Sequence, residues 1–489
     1  MLKILKRVLC LLVAAVLLLP VLIACSTAQA DRERKIKAMR DTVVLKVNDM
    51  EVSALEFSYN YYSTVAQFTQ TYSSYLNYIG LDPSVSLRDQ VYDKETGQTW
   101  AEYFIEATTE QLKQVLFFYG EAVSRGAVLS EGSKNSIDAY VLEAREAAEK
   151  ADKTLDGLLE EYYGIGMTEA DYRTFLERRF LASDYLDEYL ASREYSDVDY
   201  ETYYLQNKDD LDAVDLRFFF LPVESLDEDA SEEEIKAAAE ACKASANAFL
   251  SEVTDEASFA AAALKYAAEK DKEIYQEDTA TYHKGQYRDD ISEDYTDWLF
   301  DEVRKEGDKV MFSLEEGCAI FYFIRRYRPE HSLASMRHIL LKVTETKAED
   351  GTVTTDDAEV KAKAEALLKT WKEGDATEDS FSALVADNTA DTSSASTGGL
   401  YENFDQGEMV AGIENWIWAE GRKPGDCEVV SSTYGYHLVY FLEYTQPRWK
   451  QLTFDALQEE DYNALLETLE KSYSVDVYEE AYDLIDTEE

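Results

Sequence analysis

The order of apolar and polar positions divides this chain into regions of different period. An almost wholly apolar run covers Val8 to Ile23. Thr42 to Val47 (TVVLKV) then reads as a strand, Asn48-Asp49 as a turn, and Met50 to Val52 as the returning strand. Ser53 and Glu56 have the spacing of a capping box that opens a helix. Helices are predicted near 101–121, 136–150, 155–162 and 169–191. In the last, Tyr172, Phe175, Leu176, Phe180, Leu181, Tyr185 and Leu186 fall at three- and four-residue steps and define one apolar face. Region 42–213 is therefore predicted to be mostly helical.

After Asp215 the pattern changes, and then it repeats. LRFFFLPV (Leu216 to Val223) reads as a strand. A helix follows from Ser231 to about Glu252, then a second carrying Phe259 to Ala268. Gly307-Asp308 leads into a second strand, AIFYFIRRY (Ala319 to Tyr327). MRHILLKV (Met336 to Val343) repeats the first strand at an offset of 120. A helix over 357–372 follows, and Phe381 takes the place of Phe259. Gly425-Asp426 and HLVYFLEY (His437 to Tyr444) repeat the later features at an offset of 118. Two copies of one α/β module explain this shared order. Gln451 to Ser472 is helical again, and the short stretch Tyr473 to Glu480 closes it. That tail is too small to fold alone, so it is expected to pack on the N-terminal helical region.

Length and charge narrow the classes. A chain of 489 residues is long enough for roughly three domains. It carries 48 basic and 99 acidic residues, a formal charge of -51. Such a surface excludes the phosphate backbone of nucleic acid as a partner. It suits basic or unfolded polypeptides, or simply keeps the chain soluble. Ahead of the apolar run stand Lys3, Lys6 and Arg7, and behind it Leu22-Ile23-Ala24-Cys25. A basic start and a short apolar core read as a secretory signal, too short for a comfortable membrane span. The last four residues resemble a bacterial lipobox. That resemblance implies a signal peptide over 1–24, diacylation of Cys25, and a location outside the cytoplasm on the cell membrane. Residues 25–41 are then a lipidated tether. Its Arg32, Arg34, Lys35, Lys37 and Arg40 are expected either to lie on anionic headgroups or to remain solvated. Cys10 lies in the signal. Cys242, Cys318 and Cys427 are far apart and odd in number, so they form neither a disulfide framework nor a metal spacing.

Four histidines are present. His283 and His331 lie in polar loop sequence and read as solvated. His338 stands in the first strand of the second module and His437 in its last. Arg337-His338-Ile339-Leu340 opens this module, and Thr389-Ala390-Asp391 precedes Gly398-Gly399. Phe404 and Gly407-Glu408-Met409 follow, and Tyr434-Gly435-Tyr436-His437 ends the series. Together these motifs, over about 110 residues (335–445), resemble the parvulin-type peptidyl-prolyl isomerases. The wider layout resembles extracytoplasmic foldases of the PrsA and SurA kind.

The resemblance implies rotation about X-Pro amides in newly exported polypeptides, with no cofactor and no metal. It implies a hydrogen-bonded floor made by His338 and His437, with Asp391 facing the amide carbonyl. Met409 and Ile413 would line a proline slot, Tyr401 would sit at its rim, and Ser432 would bond the histidine pair. Two departures stand out. Ile413 replaces the family's usual phenylalanine, and Gly399-Leu400-Tyr401-Glu402 replaces Gly-Asp-Leu-Gly. In the first module Phe218 takes the place of His338, Ala319 that of His437, and Glu269 that of Asp391. That copy is degenerate and serves as a spacer or a client contact.

The expected fold is α+β and multidomain. A helical chaperone region (42–213) is completed by the C-terminal segment (447–489). A degenerate module (214–328) and an isomerase module (329–446) lie between them. The alternative is a holdase whose second module is inactive. The tyrosines of 58–78 are read either as core or as a peptide groove.

Overall fold

The computed structural model describes residues 29–224, 230–347 and 353–485. The predicted signal and Cys25 lie outside them. No helix among the described residues is long and apolar enough to cross a membrane. The described residues divide into two compact units, one made of 29–194 and 458–485 and the other lying within 195–457.

In chain order the first unit begins with α1 (29–41), β1 (Val43–Val47), β2 (Met50–Ser53) and α2 (Ala54–Thr71). Then come α3 (Trp100–Ser124), α4 (Glu131–Lys150), α5 (Leu155–Tyr163) and α6 (Glu169–Ala191). Side-chain oxygens of Ser53, Thr99, Ser130, Thr154 and Thr168 cap α2 to α6 in turn. Each satisfies a backbone N–H that has no partner inside the helix. Only half of the expected box forms at α2. Ser53 accepts from the Glu56 amide, but the Glu56 carboxylate turns away to Arg178 at 2.9 Å. Burial pushes that carboxyl up to about 7, against the pull of Arg178.

The core of this unit holds Leu45, Leu55, Phe57, Tyr61, Phe104 and Phe117, all fully buried. The aromatic run on α2 therefore splits. Tyr59 and Tyr61 are core, whereas Tyr75 and Tyr78, just beyond α2, are 61% and 91% exposed.

The expected tether is corrected where it is described. Residues 29–41 form a helix that docks on this unit. Arg32 pairs with Glu160 at 2.6 Å, Arg40 pairs with Asp171 at 2.5 Å, and Met39 is buried. A helix held by the Arg32 and Arg40 ion pairs and by a buried Met39 is not a solvated tether.

The second unit opens with α7 (Asp197–Gln206) and α8 (Lys208–Leu211). The sequence groups these residues with the helical region. Here Tyr200, Tyr204 and Leu211 instead pack with Trp449 of the same unit. The first module follows as β3 (Ala213–Pro222), α9 (Glu232–Glu252), α10 (Glu256–Tyr266), β4 (Tyr282–Gln286), α11 (Glu293–Leu299), β5 (Lys309–Ser313) and β6 (Gly317–Tyr327). The second module contains β7 (Ser332–Lys342), β8 (Glu345–Lys347), β9 (Val353–Thr355), α12 (Asp357–Glu373), α13 (Glu378–Asn388), β10 (Leu400–Phe404), α14 (Ala411–Ile417), β11 (Cys427–Ser432) and β12 (Gly435–Pro447). The long α15 (Arg448–Ser472) leaves the second unit at Leu457, and β13 (Val475–Val477) returns to the first. There β13 pairs antiparallel with β1, Leu45 opposite Val477. Tyr482 bonds Thr109 at 2.9 Å. The C-terminal segment thus completes the helical unit.

The two modules have the same topology. Their antiparallel sheets run β4-β3-β6-β5 and β10-β7-β12-β11. Their details repeat as well. Gly307 N–H donates to Phe323 O at 3.0 Å, and Gly425 N–H to Phe441 O at 2.9 Å. Arg304 lies over the Trp298 ring at 4.2 Å, and Arg422 over Trp416 at 3.6 Å. Arg217 Nε donates to Glu256 at 3.1 Å, and Arg337 Nε to Glu378 at 2.9 Å. In each sheet one face carries two helices over a buried phenylalanine, Phe259 or Phe381. The other face carries one short helix, α11 or α14.

Candidate active site

Strand period places the site. Side chains alternate between faces, so Met336 and His338 on β7 share one face, while Ile339 and Leu341 enter the core under α12 and α13. On β12, His437, Val439 and Phe441 share the face of His338. The register sets Val439 opposite His338 and His437 opposite Leu340. The two histidines are therefore diagonal neighbours on adjacent strands.

They are 6% and 3% exposed, and their Nδ1 atoms lie 3.2 Å apart. His338 Nε2 meets Asp391 Oδ2 at 2.8 Å. His437 Nε2 meets Ser432 Oγ at 2.7 Å. An ionised carboxylate only accepts, so His338 Nε2 carries a proton. With a neutral ring, His338 Nδ1 then accepts, and His437 Nδ1 must donate to it. His437 Nε2 is left as the acceptor for the Ser432 hydroxyl. Every proton in the chain Ser432, His437, His338, Asp391 points the same way.

Burial favours this neutral pair. It lowers His338, a fall that Asp391 only partly opposes. Burial and then the neighbouring His338 push His437 down to about 4. For Asp391 the balance runs the other way. Burial alone raises its carboxyl, but the hydroxyls of Ser393 and Ser394, the His338 ring and Tyr401 outweigh it. They hold it well below the usual carboxylate range.

Asp391 sits in the loop after α13, and that loop is stitched to β7. Ala390 N–H donates to Leu340 O at 2.8 Å, and the Thr389 hydroxyl accepts from Leu340 N–H at 3.2 Å. Ser394 and Ser393 donate to Asp391 at 2.5 and 2.6 Å, and Tyr401 at 3.0 Å. Gly399 adopts φ +73, and a Cβ there would lie 2.3 Å from His338 O. Only glycine lets β10 approach β7 this closely.

Beside the histidines an apolar cluster gathers Met336, Phe404, Ile413, Ile417, Val439 and Phe441, with Met409 at its edge. Gly412 lets α14 come close: a Cβ there would meet Ser431 O at 2.0 Å.

The structure thus brings His338, Asp391, His437 and Ser432 into one chain, and Met409 and Ile413 into one apolar cluster. Tyr401 links the two groups. Its hydroxyl bonds Asp391, and its ring meets His338 edge-on at 5.2 Å. Sequence reasoning assigned no role to Ser393, Ser394, Met336 or Phe441. Two hydroxyl residues shortly after an aspartate were the available signal for the first pair. The other two show only in the strand period. His283 and His331 are only partly exposed. His283 is half-buried against Phe218 at 5.9 Å, and His331 bonds Asp405 at 2.7 Å. Among the described residues no three His, Cys, Asp or Glu side chains gather as a metal site requires.

Comparison with known proteins gives this geometry a family. Residues 322–445 match the PPIC-type PPIase domain. Foldase protein PrsA 1 from Listeria monocytogenes serotype 4b (strain F2365) and its namesake from Listeria innocua serovar 6a are each 35% identical over 66 residues. That stretch is 14% of this chain and 22% of each relative, so the chain matches about a fifth of their length. The crystal structure of PrsA from Bacillus subtilis aligns with 76% of this chain and 86% of its own, at 14% identity and a TM-score of 0.28. A SurA-like chaperone structure from Campylobacter jejuni aligns with 70% and 84%, at 14% identity and a TM-score of 0.13. The matched stretch, about a quarter of the chain, carries the histidine pair, Asp391 and Met409, so the site lies in a segment similar to the PPIC-type PPIase domain.

Proposed function

We propose that this protein is an extracytoplasmic foldase, anchored by a lipid on Cys25, whose second module isomerises X-Pro bonds in exported chains. Its helical unit holds unfolded clients. The observation that carries this reading is the single-direction hydrogen-bond chain from Ser432 to Asp391 beside an apolar cluster.

Rotation about the amide has a barrier of about 18–20 kcal/mol, and no covalent bond breaks. The site therefore has to favour the twisted amide over the planar one. Planar amides are the more dipolar, so a proline ring held against the apolar cluster at Met409 and Ile413 would meet surroundings that disfavour the planar state. The Asp391 charge, held by three hydroxyls and His338, opposes the negative carbonyl oxygen of the planar resonance form. The neutral histidine pair fixes the position of that charge without titrating near pH 7.

Refolding of a proline-limited substrate by the purified full chain tests this. Turnover that falls to background in a His338→Ala, His437→Ala double variant supports the assignment, and unchanged turnover sinks it. Loss of membrane association in Cys25→Ala tests the anchor separately.

The exposed Tyr75 and Tyr78 of the helical unit favour a second reading, a holdase. Suppressed aggregation of an unfolded client without any isomerisation selects it.

A further inference from the structure

The first module brings together two cysteines that the sequence leaves far apart. Cys242 lies on α9 and Cys318 at the start of β6, 76 positions apart. Their Sγ atoms are 3.5 Å from each other. Cys318 is opposite Leu221 in the β3–β6 register, and the Cys242 thiol also donates to Leu221 O at 3.3 Å. Both thiols are buried in the core formed by Phe219, Ala246, Phe249 and Ile320. We propose that Cys242 and Cys318 form a disulfide that staples α9 to the sheet of the first module.

Two thiols closing to one disulfide release two protons and two electrons. A thiol–disulfide oxidant, itself a disulfide, takes them up and leaves as two thiols. One cysteine first forms a mixed disulfide with it, and the other then displaces the oxidant's thiol. The sulfurs have to approach from 3.5 Å to the bond length of about 2.05 Å. In the reduced protein, burial and the adjacent thiol push the Cys318 thiol up, which disfavours the thiolate. The exchange with the oxidant therefore belongs to folding, while the thiols are still reachable, and docking of α9 then buries the bond away from reductants.

The second module has no such pair. The corresponding positions are Ala364 and Tyr436, and the Tyr436 hydroxyl instead bonds Asp357 of α12 at 3.1 Å. Cys427 lies on β11, in that other module. The staple is therefore particular to the copy without the histidine pair.

The test refolds the full chain from denaturant with oxidised glutathione, alkylates it, and maps its peptides by mass spectrometry. A Cys242–Cys318 linked peptide is expected, with Cys427 alkylated. The second unit should then melt about 5–10 °C higher than in Cys242→Ser under the same conditions. Free Cys242 and Cys318 after oxidative refolding, or linkage of either to another cysteine, overturns the proposal. The mapping uses the unsubstituted chain, so it holds even where a cysteine variant misfolds. Isomerase turnover does not enter the readout, so this outcome is independent of the proposed activity.

Discussion

Phe218 and His338 occupy the same place on equivalent strands, and so do Ala319 and His437. Around the histidines lie a buried polar chain and a small apolar cluster. The first module instead fills that face with Phe218, Phe220, Phe312, Phe321 and Tyr295. Glu269, at the position of Asp391, is 87% exposed and pairs with Lys272. On the opposite faces the modules agree, down to the capping boxes of α10 and α13 and the phenylalanines beneath them. One face of the sheet therefore carries the shared core, and the other carries a buried polar chain in one copy and aromatic rings in the other. That second face differs between the copies without disturbing the fold.

The shared face gives the largest expected effect. Phe259→Ala and Phe381→Ala each remove a fully buried ring. Each should cost about 3–5 kcal/mol in denaturant unfolding of the second unit. A large difference between the two would break the claim that the modules share one core.

The divergent face is tested by charge. Asp391→Asn keeps the shape and removes the anion. It should lower kcat/KM for proline-limited refolding by about 100-fold, or roughly 2.7 kcal/mol. Glu269→Gln in the first module should leave kcat/KM unchanged.

Acid should separate the modules next. Folded His437 titrates near 4, below its ordinary 6.5. A lowered histidine stabilises the folded state fully above 6.5, and that contribution is lost as pH falls toward 4. The loss should be about 3 kcal/mol, because the ring is buried and little screened. His437→Phe should flatten the decline over that window, measured by chemical denaturation at each pH. Turnover should stay level between pH 7 and 8, since burial lowers both rings from the ordinary histidine range.

The smallest effect concerns the repeated Arg-on-Trp pair. Arg304→Ala and Arg422→Ala should each cost about 1 kcal/mol, and by the same amount within error.

Much of this was legible in the sequence. The offsets of 120 and 118 exposed the duplication, because strand and glycine-turn positions tolerate few alternatives. The histidines, Asp391 and Met409 were legible because each sits in a short motif, and Ser432 only through the family resemblance. The edge strands were not. β4 is YHKGQ, too short and polar to show a period. α1 was masked by its charge, since Arg32 and Arg40 read as solvated until Glu160 and Asp171 came beside them. The Glu56–Arg178 pair was hidden for a related reason, a local capping pattern that suggested a different partner.

The sequence by itself determined the helical and strand periods, the tandem order and the chemical identity of the site residues. These are local properties, set by side-chain type and spacing. The tertiary structure alone decided which groups meet: Tyr401 and Asp391, Cys242 and Cys318, β1 and β13. It also decided the direction of protons through the histidines. Such pairings depend on strand register and helix docking, which join residues dozens to hundreds of positions apart, and no local pattern encodes them.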